Sequence, residues 1–462
     1  MNQSDLESSS LPALIEKYNV AGPRYTSYPT AVQFEPNFDP KYLQDELKNR
    51  QNYPRDYSLY IHIPFCFSLC WYCGCTKIIT KVQDRGTLYL DFLEKEMQLV
   101  SEQMHEDSSL KQIHFGGGTP TFLDPGQLRR LGEMIQTYFK VHPNPEYSVE
   151  IDPRRVSEEH IAALAEIGCN RASLGVQDTN PEVQKAIHRI QPFEQSQKVT
   201  EFLRNHGIHH VNIDLIYGLP KQKPASFQKT LDDTLSLNPN RYAIYSYAHI
   251  PSMMPAQKLL KEEDFPSTQE KLSMLLTAIE YLQENGYEYI GMDHFAKETD
   301  ELSKALHEGT LHRNFQGYST HAELDMIALG MSGISQSSRL FYQNTKDLDE
   351  YYRLLEEGQL PVKKGYSLTD EDKLRKKIIM QIMCKGAINY SQFLEETGVD
   401  IPKKYPAELD LLPEFERDGL LIQTPNGFHI TETGRLFLRN IAMVFDEYLK
   451  QSRLKAAYSK TV

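Results

Sequence analysis

The chain has 462 residues, of which 40% are hydrophobic and 24% charged, enough apolar content for one large domain with a smaller appendage. A formal net charge of -13 excludes indiscriminate nucleic-acid binding, because the phosphate backbone is repelled wherever no local basic patch intervenes. The mean hydropathy is -0.52, no apolar run approaches the roughly 20 residues that span a bilayer, and Met1–Pro12 is polar, so a cytoplasmic protein without a leader is expected.

Residues 1–56 read as an arm. Within it, Arg24-Tyr-Thr-Ser-Tyr-Pro-Thr30 is expected to be extended, since the residue before a proline avoids the helical region. From about 57 to 365, apolar β-rich runs alternate with amphipathic helical stretches. The runs are Ser58–Pro64, Gln112–Gly118, Tyr147–Asp152, Arg171–Gln177, His210–Tyr217 and Arg241–His249. Between them apolar residues fall at helical spacing, as in Leu128, Leu131 and Ile135. Continuous apolar strands alternating with helices imply parallel strands and right-handed crossovers, in a doubly wound sheet or a full or partial barrel. In either architecture ligands gather at the carboxyl ends of the strands, which is where the unusual residues fall. Residues 366–462 change character. Helices at Lys373–Cys384 and Tyr390–Thr397, an Asn426-Gly427 hairpin and a last helix from Thr433 to about Leu449 predict a smaller, mainly helical, winged-helix-like domain.

Six cysteines are too few for a disulfide framework in a chain this long, and four of them crowd into Cys66–Cys75. Cys66, Cys70 and Cys73, spaced C-x3-C-x2-C just after the first strand, offer three soft thiolates on a loop, suited to iron–sulfur or zinc chemistry. Cys75 could make a fourth ligand in a closed zinc site. Gly116-Gly117-Gly118-Thr119-Pro120 follows the second strand, where glycine admits a ligand to the backbone, although such a run is as often a plain turn. Glu150 and Asp214 end two further strands and could accept hydrogen bonds from amine or ribose hydroxyls, or could serve as capping carboxylates. Cys169 and Cys384 read as buried thiols, and Met253 and Met254 as core packing. His62 reads equally as a satisfied core histidine or as a proton or electron relay.

The C-x3-C-x2-C spacing after a strand resembles the radical S-adenosylmethionine superfamily, which implies a partial parallel (β/α)6 barrel. That resemblance also implies a 4Fe-4S cluster on Cys66, Cys70 and Cys73, whose open iron chelates S-adenosylmethionine and yields a 5'-deoxyadenosyl radical. Arg24–Thr30, Tyr60-Ile-His-Ile-Pro-Phe-Cys66, Cys73-Gly-Cys75, Asn212–Pro220, Gly291-Met-Asp-His-Phe295 and His312-Arg-Asn-Phe-Gln-Gly-Tyr318 together resemble the oxygen-independent coproporphyrinogen III oxidase family over nearly the whole chain. The resemblance implies conversion of two propionates of coproporphyrinogen III to vinyl groups, giving protoporphyrinogen IX.

It further implies two S-adenosylmethionine molecules. The first would be held by Tyr60, Tyr72, Gly117 and Glu150; the second would meet Gly118, Thr119, Gln177, Arg189, Asp214, Ala248 and Ile334. Cys75 matches a family cysteine that is not a cluster ligand and acts near the second molecule. Arg24, Lys77 and Arg313, lying within these motifs, are candidate cations for the substrate's carboxylates, with solvated surface charge as the plainer reading. A small electron donor such as flavodoxin or ferredoxin is expected, with no nucleic-acid or membrane partner and a monomeric chain. Rival readings are a heme-trafficking protein of the same fold, a radical methyltransferase acting on heme, and a winged-helix metal sensor. The Arg24–Thr30 arm and Cys75 speak against the first, His312–Tyr318 against the second and the repeated strands against the third.

Overall fold

Each of the six apolar runs forms a strand: β1 (Asp56–Ile63), β2 (Ser109–Gly117), β3 (Val141–Ile151), β4 (Arg171–Gln177), β5 (His210–Tyr217) and β6 (Arg241–Ser246). Leu59, Ile61, Phe115, Leu174 and Ile213 have no accessible surface, as expected of strands covered on both faces. This computed structural model describes residues 11–36, 38–321, 324–450 and 458–461, so most of Met1–Pro12, read above as leader-free, lies outside the described residues. Each strand pairs in parallel with the next in chain order. Successive crossovers in one direction place the intervening helices on one side, which gives a partial barrel; a doubly wound sheet would reverse its order.

The helix starts are written locally. Asp124 caps the helix Pro125–Tyr138 by accepting from Gln127 N at 2.8 Å, with Pro125 in the first turn. Ser157 likewise opens Glu158–Glu166.

A seventh parallel strand, β7 (Asp325–Leu329), pairs with the other edge of β1, and β8 (Ile334–Gln336), β9 (Leu340–Asn344) and β10 (Val362–Ser367) extend the sheet antiparallel. The apolar run of β7, Met326–Leu329, is short and is not among the six read from the sequence. It is a strand because β1 has an edge to be paired.

The described residues form two compact units, each discontinuous in sequence: 34–278 with 323–367, and 1–33 with 279–322 and 368–462. The break at Ser367/Leu368 lies beside the boundary near 366 suggested by composition, whereas the N-terminal break falls at Gln33/Phe34, not near 57, and 279–322 joins the smaller unit. The first unit holds β1 to β10. The second contains the helix Asp370–Lys385, the helix Tyr390–Thr397 and a three-stranded sheet of Ala387–Asn389, Leu421–Thr424 and Gly427–Ile430, with Asn426-Gly427 at the hairpin.

Two expectations for this second unit fail. Arg24–Thr30 is bent, with Tyr25 at φ 47° and a cis Tyr28-Pro29 bond. Burial decides its path: Tyr25 donates to Asp446 at 2.9 Å and Tyr28 packs on Tyr448. The final helix is broken into Thr433–Phe437, Leu438–Met443 and Glu447–Lys450, with Gly434 pressed so closely on the Leu420 carbonyl that a Cβ would not fit. Among the described residues no helix is long and apolar enough to cross a membrane.

Candidate active site

The loop after β1 carries all the clustered cysteines and is tied down at several points. Phe65–Cys66 pairs with Ile78–Ile79, and Trp71 N donates to Ile187 O at 3.0 Å. His62, buried on β1, closes the loop through Nε2 to Thr76 O at 3.0 Å, while its Nδ1 faces the Tyr60 hydroxyl at 3.1 Å. Donation from Nε2 leaves Nδ1 as acceptor, and burial holds the imidazole below its ordinary pKa, so it is neutral. His62 is therefore a satisfied core histidine that positions the loop. Lys77 donates to Cys73 O and Cys75 O at 3.1 and 3.2 Å, so its ammonium braces the loop from within.

The thiols have distinct surroundings. Cys66 Sγ lies 3.4 Å from the Thr119 hydroxyl, and burial pushes its pKa up to about 11. Cys70 Sγ receives Arg154 at 3.4 Å and Arg189 at 3.6 Å. A hydrogen bond from Cys75, opposed by burial and assisted by Lys77, lowers Cys73 to about 6. Cys75 itself is exposed.

Three soft thiols with cationic and hydroxyl donors at two of them fit an iron–sulfur cluster. Among the described residues no three His, Cys, Asp or Glu side chains close on one point as ligands of a single ion would. A cluster differs, since each thiolate binds its own iron.

Beside the loop, β2 ends in a cradle that only glycine permits. An added Cβ would stand 2.9 Å from Glu150 Oε1 at Gly116, 2.7 Å from the His62 ring at Gly117, and 2.7 Å from the Pro64 carbonyl at Gly118. Gly117 also has φ +114°, a conformation costly for other residues. Its amide donates to Glu150 Oε2 at 3.2 Å, and His114 Nε2 lies 3.3 Å from Oε1. Tyr60 stacks on His114. Next along the sheet, Asp214 accepts from Ser173 at 2.8 Å and from Asn212 at 2.7 Å. Burial, against those hydrogen bonds and with Glu150 nearby, pushes Asp214 up to about 7.

Arg189 is buried and shares Asp152 with Arg154, and against the effect of burial these two guanidiniums lower the Asp152 carboxyl to about 2. Arg189 also donates to Gly175 O at 2.6 Å, and its Nε has no hydrogen-bond partner. Gln177 ends β4 at φ 67°. Gln257 links the carbonyls of Tyr72 and Ala248 at 3.2 and 3.1 Å. Ile334 is half-buried on β8.

The other unit assembles cations around the remaining motifs. Gly291 at φ +147° lets the Tyr318 hydroxyl approach to 2.7 Å of where a Cβ would be, which explains the pairing of these two motif residues. Arg313 lies over the Tyr318 ring at 4.7 Å, is only 3% exposed, and its Nε and Nη1 have no hydrogen-bond partner. Arg24 pairs with Asp293 at 2.7 Å. Arg439 is tied to backbone carbonyls of Gly22, Pro23 and Lys460, and burial together with neighbouring Arg24 and Arg313 lowers it to about 10. Buried cations this close require anions, and Asp293 supplies one.

The sequence reading overlooked His114, Arg154, Asp293 and Arg439. His114 had a usable signal, lying between Ile113 and Phe115 two residues before the glycine run. Arg439 had none, lying on a C-terminal helix remote from every motif. Met253 and Met254 are not core: Met253 is 54% exposed, and Met254 touches the loop at Gly74. Cys169 and Cys384 are buried, as expected.

This geometry has known counterparts. The radical SAM superfamily pattern matches residues 60–234, and the HemN C-terminal domain matches 368–437. The oxygen-independent coproporphyrinogen III oxidase of Pseudomonas aeruginosa is 43% identical over 441 residues, covering 94% of this chain and 95% of that protein. That of Escherichia coli is 41% identical over 451 residues, covering 97% and 98%. The solved structure of Escherichia coli coproporphyrinogen III oxidase (HemN), described as a radical SAM enzyme, superposes with a TM-score of 0.90 at 40% identity, covering 95% of this chain and 98% of that one. With identity of this degree over nearly its full length, the chain belongs to the oxygen-independent coproporphyrinogen III oxidase family of radical S-adenosylmethionine enzymes.

Proposed function

We propose that this chain converts two propionate side chains of coproporphyrinogen III to vinyl groups without oxygen, giving protoporphyrinogen IX in heme biosynthesis. The observation that carries the reading is the braced loop of Cys66, Cys70 and Cys73 beside a glycine cradle and Glu150. When bound, the 4Fe-4S cluster and S-adenosylmethionine supply one-electron cleavage of a sulfonium and abstraction of a hydrogen atom from each propionate.

The protein's own groups bind, orient and exclude water. Cys66, Cys70 and Cys73 hold the cluster, with the Thr119 hydroxyl and the Arg154 and Arg189 guanidiniums favouring charged sulfur. Glu150 accepts from an ammonium, and the open backbone at Gly117 and Gly118 lets a ligand approach. Asp214, whose carboxyl burial pushes up to about 7, can exchange a hydrogen bond with a ribose hydroxyl. Tyr60 and Tyr72 supply ring surface. Two S-adenosylmethionine molecules are proposed: Tyr60, Tyr72, Gly117 and Glu150 serve one, and Gly118, Thr119, Gln177, Arg189, Asp214, Ala248 and Ile334 the other. Arg313, with its buried and unpartnered N–H groups, and Arg24 meet substrate carboxylates. Cys75 acts without binding iron. A flavodoxin- or ferredoxin-like donor, a monomeric state and a cytoplasmic location complete the reading.

Anaerobic turnover of the reconstituted protein with dithionite tests it: vinyl product from coproporphyrinogen III is expected. Release of 5'-deoxyadenosine without vinyl product, or heme binding alone, would favour a heme-trafficking role. Equilibrium dialysis should find two S-adenosylmethionine molecules per chain.

A further inference from the structure

A cleft of about 340 Å³ opens beside the cysteine loop; it shares Thr119 and Arg154 with the cofactor reading, which gives the rest of its wall no role. Phe67, Ser68, Arg155, His188 and Ile190 form much of its wall, and it reaches Thr119 and Arg154 at its base. Those two residues touch Cys66 and Cys70 at 3.4 Å each. The cleft is thus one side chain away from two of the three thiols.

Three features mark it as a protein contact. Ile190 is 60% exposed at the rim, an apolar group with nothing to cover it among the described residues. Trp71, the chain's single tryptophan, stacks on His188 and stiffens the adjoining wall. The charge is also locally inverted. Among the described residues Asp152 is the only acid lining the cleft, and it is already shared by Arg154 and Arg189. Arg155 is exposed over the Phe67 ring at 5.1 Å and makes no ion pair among the described residues. On a chain of net charge -13, a cationic, partly apolar depression stands out against an acidic background.

We propose that this cleft is the docking site of the electron donor, a small acidic one-electron carrier protein of flavodoxin type; the proposal rests on the functional reading above. Opposite charge would guide such a carrier to this face and away from the rest of an acidic surface, and the apolar rim would hold it briefly. Electron-transfer contacts are small and short-lived, which a depression of this size suits. One electron passes from the reduced carrier, which is oxidised by one unit, to the cluster, which is reduced by one; no proton or leaving group is required.

The test compares wild type with Arg155→Glu and Ile190→Glu, neither of which touches the thiols, each as anaerobically reconstituted full-length protein. Titration calorimetry gives the Kd for oxidised flavodoxin. Initial rates are measured with limiting reduced flavodoxin and, separately, with dithionite. Both variants should raise the flavodoxin Kd and KM at least tenfold while the dithionite-driven rate stays within twofold of wild type, and added salt should weaken only the flavodoxin-driven rate. Unchanged Kd and KM in both variants would overturn the proposal, as would absence of flavodoxin binding to wild type. If dithionite yields no vinyl product from wild type, the functional reading fails, while the Kd series still decides whether the cleft is the docking site.

Discussion

Cys75 and Cys66 belong to one loop yet face different environments. Cys66 is held against Thr119, whereas Cys75 is exposed and spends its S–H on Cys73. On the proposed reading Cys75 acts without binding iron, so Cys75→Ser should keep the cluster's absorbance and lose turnover; loss of iron would instead make Cys75 a ligand. Arg313 gives a second separation. Its unpartnered Nε and Nη1 are buried, so a carboxylate that reaches them gains charge-assisted bonds worth about 1.5–3 kcal/mol each. Lysine keeps the charge and loses the fork. Arg313→Lys should therefore raise KM for the porphyrinogen about tenfold or more with a smaller change in kcat, as measured by steady-state kinetics under anaerobic conditions. Both residues could be named as candidates from the sequence because they sit inside motifs. What could not be read was that Arg24 is paired with Asp293 and Arg313 is not.

At the scale of an element, the cysteine loop is defined by its bracing. Ile78 N reaches Pro64 O at 2.7 Å, Thr80 N reaches Cys66 O at 3.0 Å, and His62 and Lys77 close the remaining turns. Lys77 was a candidate for substrate carboxylates, but two loop carbonyls occupy its ammonium. Lys77→Met should lower iron per chain after reconstitution and hasten iron release to a chelator, while leaving the thermal midpoint of the apoprotein nearly unchanged, because the group is partly exposed. The strands feeding this loop were legible from continuous apolar runs. The last helix was not: its apolar spacing continues through Thr433–Leu449, but the segment divides into Thr433–Phe437, Leu438–Met443 and Glu447–Lys450.

Across the molecule, buried carboxyl groups set a pH dependence. Glu96 accepts from Gly330 N at 2.7 Å, Asn344 at 2.7 Å and the Tyr351 hydroxyl at 2.6 Å, fastening the helix Asp84–Ser101 to the β7–β8 turn and β9. Burial outweighs those bonds and pushes its pKa from 4.5 up to about 7. Asp178, fully buried, is likewise raised to about 6. A raised folded-state pKa means that the folded state binds the proton more tightly. Stability from Glu96 is therefore fully present below pH 4.5 and is lost as pH rises to about 7, a change of about 3 kcal/mol. Asp152 acts in the opposite sense, its contribution being lost only as pH falls from 3.8 towards about 2. In hydrogen exchange, amides around Gly330 and Asn344 should lose protection between pH 5 and about 7 beyond the intrinsic base-catalysed rate. Glu96→Gln should abolish that excess.

The sequence by itself determined where the parallel strands lie and that Cys66, Cys70 and Cys73 follow the first of them, because apolar runs and residue spacing are local properties. Tertiary structure alone decided which charges are satisfied and which are left for a ligand. Arg24 meets Asp293 269 residues away, and Arg189 meets Asp152 37 residues away, separations over which no periodic pattern carries information. The same holds for β7, whose pairing needed the edge of β1, and for the cationic cleft, whose walls come from the cysteine loop and from segments after β2, β3 and β4.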